Sequence, residues 1–248
     1  MGTIVAIGGG EINKHETFAI DQEIIKLSCK KRPRVLFIPT ASSDSQEYIN
    51  DFIDYYGNYL DCKVDVLLLI KQSVTTKKIS EKFLNSDIVY VGGGNTLMMM
   101  NVWRKLGVDK ILKKAYQKNI ILCGISAGAI CWFNFGVSDS RRFKNLEAQL
   151  IKVRGLGFIS GLLCPHYHSE KYAKDRVVST KNIAKRTSGV ALGIDDFCAI
   201  IFIDGQFKII TSKSSANVYK IFWKRDIFSC EKIKQNSDLN PESRLLKR

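Results

Sequence analysis

Apolar and β-branched residues in the first half of the chain gather into short runs: TIVAIGG (3–9), RVLFIPT (34–40), KVDVLLLI (63–70), DIVYVGGG (87–94) and NIILCGIS (119–126). Between them, near 16–30, 44–58, 77–85 and 96–118, apolar positions recur at helical spacing. Strands that read as continuous apolar runs are buried on both faces, and strand alternating with helix at this interval predicts a parallel sheet wound on both sides by helices. The expected fold class is therefore α/β, doubly wound and mostly parallel.

After about residue 190 the pattern changes. GVALGIDDFCAIIFIDGQFKIIT places Asp-Gly between two apolar runs, a strong signal for a two-residue hairpin turn, and NVYKIFWKRDIFSCEKI predicts a further strand or hairpin. From Gln235 the chain is polar and aperiodic. One domain over 1–234 and a frayed tail over 235–248 are expected.

Composition narrows the class without naming a function. The chain has 248 residues, 45% of them hydrophobic, which is ordinary for a globular protein and excludes a largely disordered one. No run approaches the roughly 20 apolar residues of a membrane span, and the start MGTIVAIGGG lacks a basic region ahead of an apolar one, so a cytoplasmic location is expected. Seven widely spaced cysteines, without a CxxC pair, predict reduced thiols. The net charge of +14 would suit nucleic acid, but the lysines are scattered and no binding motif accompanies them; a solvated basic surface is the simpler reading.

Three glycine-rich turns, IGGGEI, VGGGNT and CGISAGA, each follow a predicted strand. In open α/β sheets ligands sit beyond the carboxyl ends of the strands, so the three turns are placed to converge. GISAG matches the nucleophile elbow G-x-S-x-G, in which glycines 124 and 128 let a strand turn sharply into a helix and push the Ser126 hydroxyl out of the packed layer. The bland alternative is a tight turn with serine as a helix cap.

A serine nucleophile needs a base, and there are three histidines: His15, His166 and His168. The last two lie in LLCPHYHSE, where an apolar run meets proline. If that segment is extended, Cys164, His166 and His168 share a face, which opens a rival reading as a metal site; no obvious fourth ligand supports it. No histidine follows residue 168, whereas an ordinary α/β hydrolase carries its histidine far downstream of the elbow. Met98–Met100 and Trp103 read as helix core.

Taken in order, IGGGEI, VGGGNT, GISAGAICWF, CPHY and GIDDFCAI resemble the dipeptidase E family of aspartyl dipeptidases, relatives of cyanophycinase, over roughly residues 3–210. The resemblance implies a fold similar to class I glutamine amidotransferases and hydrolysis of small peptides with an N-terminal acidic residue. It places the nucleophile on Ser126, the base on His166, and the oxyanion hole on Gly93, Gly94 and Ala127. The acid is placed on Asp139, in GVSDS, with Glu147 and Glu170 as alternatives; Asn134 stands where many relatives continue with glutamate. Asn95 is a candidate substrate contact or a helix cap. Arg176, in KYAKDRVV, is a candidate partner for an acidic substrate or a solvated helix residue. Asp195 and Asp196 resemble a family feature and equally suit the end of a strand.

These readings lead to a serine peptidase that needs neither metal nor organic cofactor. Its expected partner is a small peptide, with no specific nucleic acid and no membrane; a homodimer is left open. The alternatives are another small-substrate hydrolase of the same fold and a noncatalytic basic binding protein.

Overall fold

The computed structural model describes residues 2–169, 173–233, 235 and 238–247. In chain order, the first half runs β1 (Thr3–Ile7), α1 (Phe18–Leu27), β2 (Arg34–Ile38), α2 (Gln46–Phe52), β3 (Lys63–Val66), α3 (Thr76–Leu84), β4 (Ile88–Val91), α4 (Thr96–Leu106), α5 (Val108–Gln117), β5 (Ile121–Ile125) and α6 (Ala127–Ile130). The stretch expected as one helix over 96–118 breaks at Gly107, whose φ of 72° ends α4 as a left-handed cap. The second half adds β6 (Phe133–Ser138), β7 (Ile151–Arg154), β8 (Ile159–Pro165), α7 (Ala173–Lys185), β9 (Ala191–Ile194), β10 (Cys198–Ile203), β11 (Gln206–Thr211), β12 (Val218–Lys224), β13 (Ile227–Ile233), β14 (Asn240–Pro241) and α8 (Ser243–Leu246).

Two sheets form. The larger has the order β14-β11-β10-β1-β5-β4-β2-β3, with β1 to β5 mutually parallel and β10, β11 and β14 added antiparallel at one side. The smaller has the order β13-β12-β9-β8-β6-β7; its centre, β6, β8 and β9, is parallel and its outer strands are antiparallel. The Asp204-Gly205 turn has positive φ at both residues, as a two-residue hairpin requires, and joins β10 to β11. Arg225 and Asp226 make the same turn between β12 and β13.

Alternate residues of the parallel strands feed two cores. Val5, Ile7, Val35, Phe37, Tyr90 and Cys123 face α1 and the aromatic run from Phe52 to Tyr56. The opposite residues, Ile4, Ala6, Leu36, Val89 and Leu122, meet Met99, Met100 and Trp103 of α4 together with Leu163, Leu192 and Ile194 of the smaller sheet. A shared core thus binds the two sheets, and α7 covers the outer face of the smaller one through Val177, Ile183 and Ala184. The tail, expected to fray, instead docks in part: Asn240 and Pro241 pair with β11, and Leu245 is fully buried. Among the described residues no helix is long and apolar enough to cross a membrane.

Candidate active site

The site lies where the carboxyl ends of both sheets meet. Strand β5 ends at Ile125, and Ser126 follows with φ 55° and ψ −110°, a backbone state that side chains other than glycine rarely adopt. Its amide is held by the Ile7 carbonyl at 3.0 Å. A Cβ on Gly124 would strike the Gly128 backbone, and one on Gly128 would strike the Val91 carbonyl, so both glycines of the elbow are required by close packing. The Ala127 amide opens α6 and so has no acceptor within the helix.

The other two groups come from the smaller sheet. Strands β8 and β9 are parallel neighbours in a register that sets Pro165 opposite Ile194, so the residues that follow each strand emerge side by side. His166 turns at φ 52°, and its Nε2 lies 2.8 Å from Ser126 Oγ. Its Nδ1 lies 2.5 Å from Asp196 Oδ1. A carboxylate only accepts, so the imidazole carries its proton on Nδ1 and offers Nε2 as an acceptor for the serine hydroxyl. Burial raises the pKa of Asp196, but the hydrogen bond and charge of His166, with Ser169 and Arg176 adding to them, outweigh it and leave the pKa below the usual carboxylate value. The loop after β1 closes the back of the arrangement: Phe197 donates to the Gly9 carbonyl at 2.9 Å, and a Cβ on Gly9 would overlap both Asp196 Oδ1 and His166 Nδ1.

The structure thus corrects the expected carboxylate partner of His166 from Asp139 to Asp196. Asp139 accepts instead from Arg176 at 2.7 Å, and Arg176 also donates to the Pro165 carbonyl at 3.3 Å. Arg176 is only 3% exposed and does not line the cavity at Ser126, which corrects its assignment as a substrate contact. Of the alternative acids, Glu147 is exposed on a loop remote from His166 in its contacts, and Glu170 lies outside the described residues. Asn95 caps α4, accepting from Met98 N at 3.0 Å and donating to the Ser140 carbonyl at 3.3 Å, and it too is absent from the cavity wall. The turn at His166 breaks the extended run, so Cys164, His166 and His168 do not share a face: Cys164 is buried, and His168 pairs with Asp195 Oδ1 at 3.1 Å. Among the described residues no group of three histidine, cysteine or acidic side chains is placed to hold a metal.

In front of Ser126 and His166 opens a cavity of about 390 Å³, walled by Gly10, Glu11, Glu47, Tyr48, Asp51 and the pair Gly93 and Gly94, among others. It is at the small end of ligand-sized cavities. Gly94 adopts φ 131°, and a Cβ there would meet the Ala41 carbonyl, so the glycine turn after β4 is held tightly beside the serine. The Gly93 amide donates to the Tyr48 hydroxyl at 3.3 Å.

A doubly wound α/β sheet with a serine on a strained elbow, touched by histidine, defines the class. The chain belongs to peptidase family S51, the dipeptidase E family, whose model matches residues 4–210. It is 38% identical over 226 residues to the uncharacterized peptidase YgaJ of Bacillus subtilis, covering 89% of this chain and 92% of that protein. It is 25% identical over 162 residues to the uncharacterized peptidase Lin0382 of Listeria innocua, covering 64% of this chain and 74% of the relative. The crystal structure of a peptidase from an acI-B1 Actinobacterium shares the fold at a TM-score of 0.71 and 18% identity, with 97% of each chain covered.

Proposed function

We propose that this peptidase is a serine peptidase of short peptides, working through Ser126, His166 and Asp196. The observation that carries the reading is the unbroken chain of contacts from Ser126 Oγ to His166 to Asp196, with Ser126 and His166 on the wall of a small cavity. Ser126 Oγ attacks the scissile carbonyl while its proton passes to His166 Nε2; Asp196 fixes the tautomer and stabilises the imidazolium. The tetrahedral oxyanion is met by amides of the Gly93-Gly94 turn and of Ala127, the last at a helix start where the backbone dipole favours negative charge. The proton on Nε2 then goes to the leaving amine, and water repeats the sequence on the acyl-enzyme.

An N-terminal acidic residue on the substrate, which the family resemblance implies, gains no support from the cavity wall. Among the described residues that wall carries Glu11, Glu47 and Asp51 and no lysine or arginine, in a chain with 38 basic and 24 acidic residues. Such a wall favours the free α-ammonium of a short peptide and repels an Asp or Glu side chain. Two measurements test the reading. A fluorophosphonate is expected to label Ser126 in the native protein and not in Ser126→Ala, and a panel of Asp-X, Ala-X and Lys-X dipeptides is expected to show Asp-X as the slowest. Labelling elsewhere, or full turnover by Ser126→Ala, would defeat the serine mechanism; rapid Asp-X cleavage would defeat only the charge reading.

A further inference from the structure

Tyr48 sits on α2, one turn from the helix start, and its ring is fixed from two sides. Phe37 meets it edge to face at a centroid distance of 5.2 Å, and a Cβ on Gly92 would come within 2.9 Å of its Cε1. So held, the phenol reaches the glycine turn: its oxygen accepts from Gly93 N–H at 3.3 Å, on the wall of the cavity that contains Ser126 and His166. Among the described residues its own O–H has no hydrogen-bond acceptor. Burial pushes the pKa of Tyr48 up to about 12; the bond from Gly93 opposes this, and the charges of Glu11, Asp21 and Asp51 add to the rise. A hydroxyl with a spare proton is therefore held beside the backbone amide proposed to meet the oxyanion, in surroundings that keep it protonated.

We propose that Tyr48 is a catalytic residue, its O–H donating a hydrogen bond to the oxyanion that forms when Ser126 attacks. The inference rests on the serine mechanism above. In the resting site the Tyr48 oxygen takes the Gly93 N–H; as negative charge grows on the former carbonyl oxygen, that oxygen becomes the better acceptor for both groups. No proton leaves Tyr48: the serine proton goes to His166, and the phenol contributes only a hydrogen bond, one that strengthens as the acceptor becomes anionic. This explains why an aromatic hydroxyl, and not an aliphatic filler, stands over the glycine turn. It also gives two of the cavity carboxylates, Glu11 and Asp51, a second consequence, since a negative field beside a phenol opposes its ionisation.

The test is Tyr48→Phe, which keeps the ring against Phe37 and Gly92 and removes only the hydroxyl. Turnover of Ala-Ala is expected to fall about 10²-fold in kcat with KM within about twofold, the pattern of a lost oxyanion donor. A peptide aldehyde, which forms a tetrahedral adduct on Ser126, is expected to lose affinity by a similar factor while the corresponding peptide alcohol does not. That aldehyde-to-alcohol ratio reads the hydroxyl's role irrespective of any change in the folded fraction. An unchanged ratio, or a kcat within twofold of the parent, overturns the inference while fluorophosphonate labelling of Ser126 leaves the serine mechanism standing. A parent protein that is neither labelled nor active overturns both.

Discussion

Two histidine-aspartate pairs stand side by side beyond β8 and β9, built from the same two residue types. His166 and Asp196 are 2.5 Å apart and reach Ser126; His168 and Asp195 are 3.1 Å apart and reach no nucleophile. Their carboxylates shift in opposite directions. Burial dominates at Asp195 and raises its pKa, even against the charge of His168 and the donors His168 N and Asn217 N, whereas at Asp196 the hydrogen bond and charge of His166 prevail over burial. Asp195 spends its oxygens on backbone amides, tying the loop after β8 to the loop before β12 at 3.1 Å and 3.0 Å. On the proposed mechanism, one pair stabilises a charge that appears during reaction. The other is a clasp.

The largest expected effect separates the two pairs directly. Asp196→Asn should lower kcat by about 10³- to 10⁴-fold, because an amide no longer enforces the Nδ1–H tautomer of the base. Asp195→Asn should leave kcat within about tenfold and lower the melting temperature instead, since it weakens one accepting oxygen of the clasp. Steady-state kinetics beside thermal melts decide the matter, and a reversed ranking would move the acid to Asp195.

Next comes the glycine that the functional pair packs against. Gly9→Ala places a methyl group where Asp196 Oδ1 and His166 Nδ1 now stand, so the pair must separate or the loop after β1 must move. A displacement of about 1 Å in a reacting constellation costs on the order of 10²-fold, and that is the loss of kcat expected. The control is Gly205→Ala, at a hairpin turn where an added Cβ meets nothing and only the left-handed φ of 76° is strained; it should cost stability and spare turnover.

Asp139 sharpens the comparison from outside. Its partner Arg176 is buried and also holds the Pro165 carbonyl, immediately before His166, so the ion pair supports the turn that presents the base. Asp139→Asn removes one of the charges facing a buried guanidinium and, with Asp139 itself 31% exposed, should cost roughly 2 kcal/mol of stability. Fluorophosphonate labelling of Ser126 should survive at temperatures where the variant is folded. Abolished labelling in the folded variant would return Asp139 to the catalytic chain.

What could be seen in the sequence follows from how local each signal is. Ser126 is marked by glycines two residues to either side, and the segment holding His166 and His168 by a proline that ends an apolar run, so local sequence pointed to both; the preference for His166 came from the family resemblance. The parallel strands and the Asp-Gly hairpin were legible for the same reason. Asp196, in GIDDFCAI, resembles a family feature and equally suits the end of a strand, and no role follows from its neighbours because its place beside His166 depends on the register of Pro165 against Ile194, a pairing between segments about thirty residues apart. The search for an acid between serine and histidine led to Asp139, which the fold gives to Arg176. The second sheet was hidden as well: β6, FNFGVS, mixes asparagine and glycine with apolar residues and follows the elbow helix almost at once. Leu245, one buried side chain in a polar tail, offered no periodicity from which docking could be read.

The smallest effect expected is also the most direct check on the clasp. His168 donates its backbone amide to Asp195, and this contact survives any change of side chain; what His168→Ala loses is the imidazole contact at 3.1 Å and the edge contacts with Tyr167 and Tyr219, each at a centroid distance of 4.5 Å. The side chain is 40% exposed, so water replaces much of what is removed. Nothing in its contacts reaches Ser126 or His166. His168→Ala should therefore keep kcat within about threefold of the parent, with KM free to move if substrate passes over the Tyr219 face. His166→Ala, two residues away, should leave only the residual rate of the remaining site, and the contrast between adjacent histidines reads out the register of β8 against β9. Equal losses from the two substitutions, measured in variants of equal melting temperature, would mean that His168 takes part in moving the proton and that the second pair is no mere clasp.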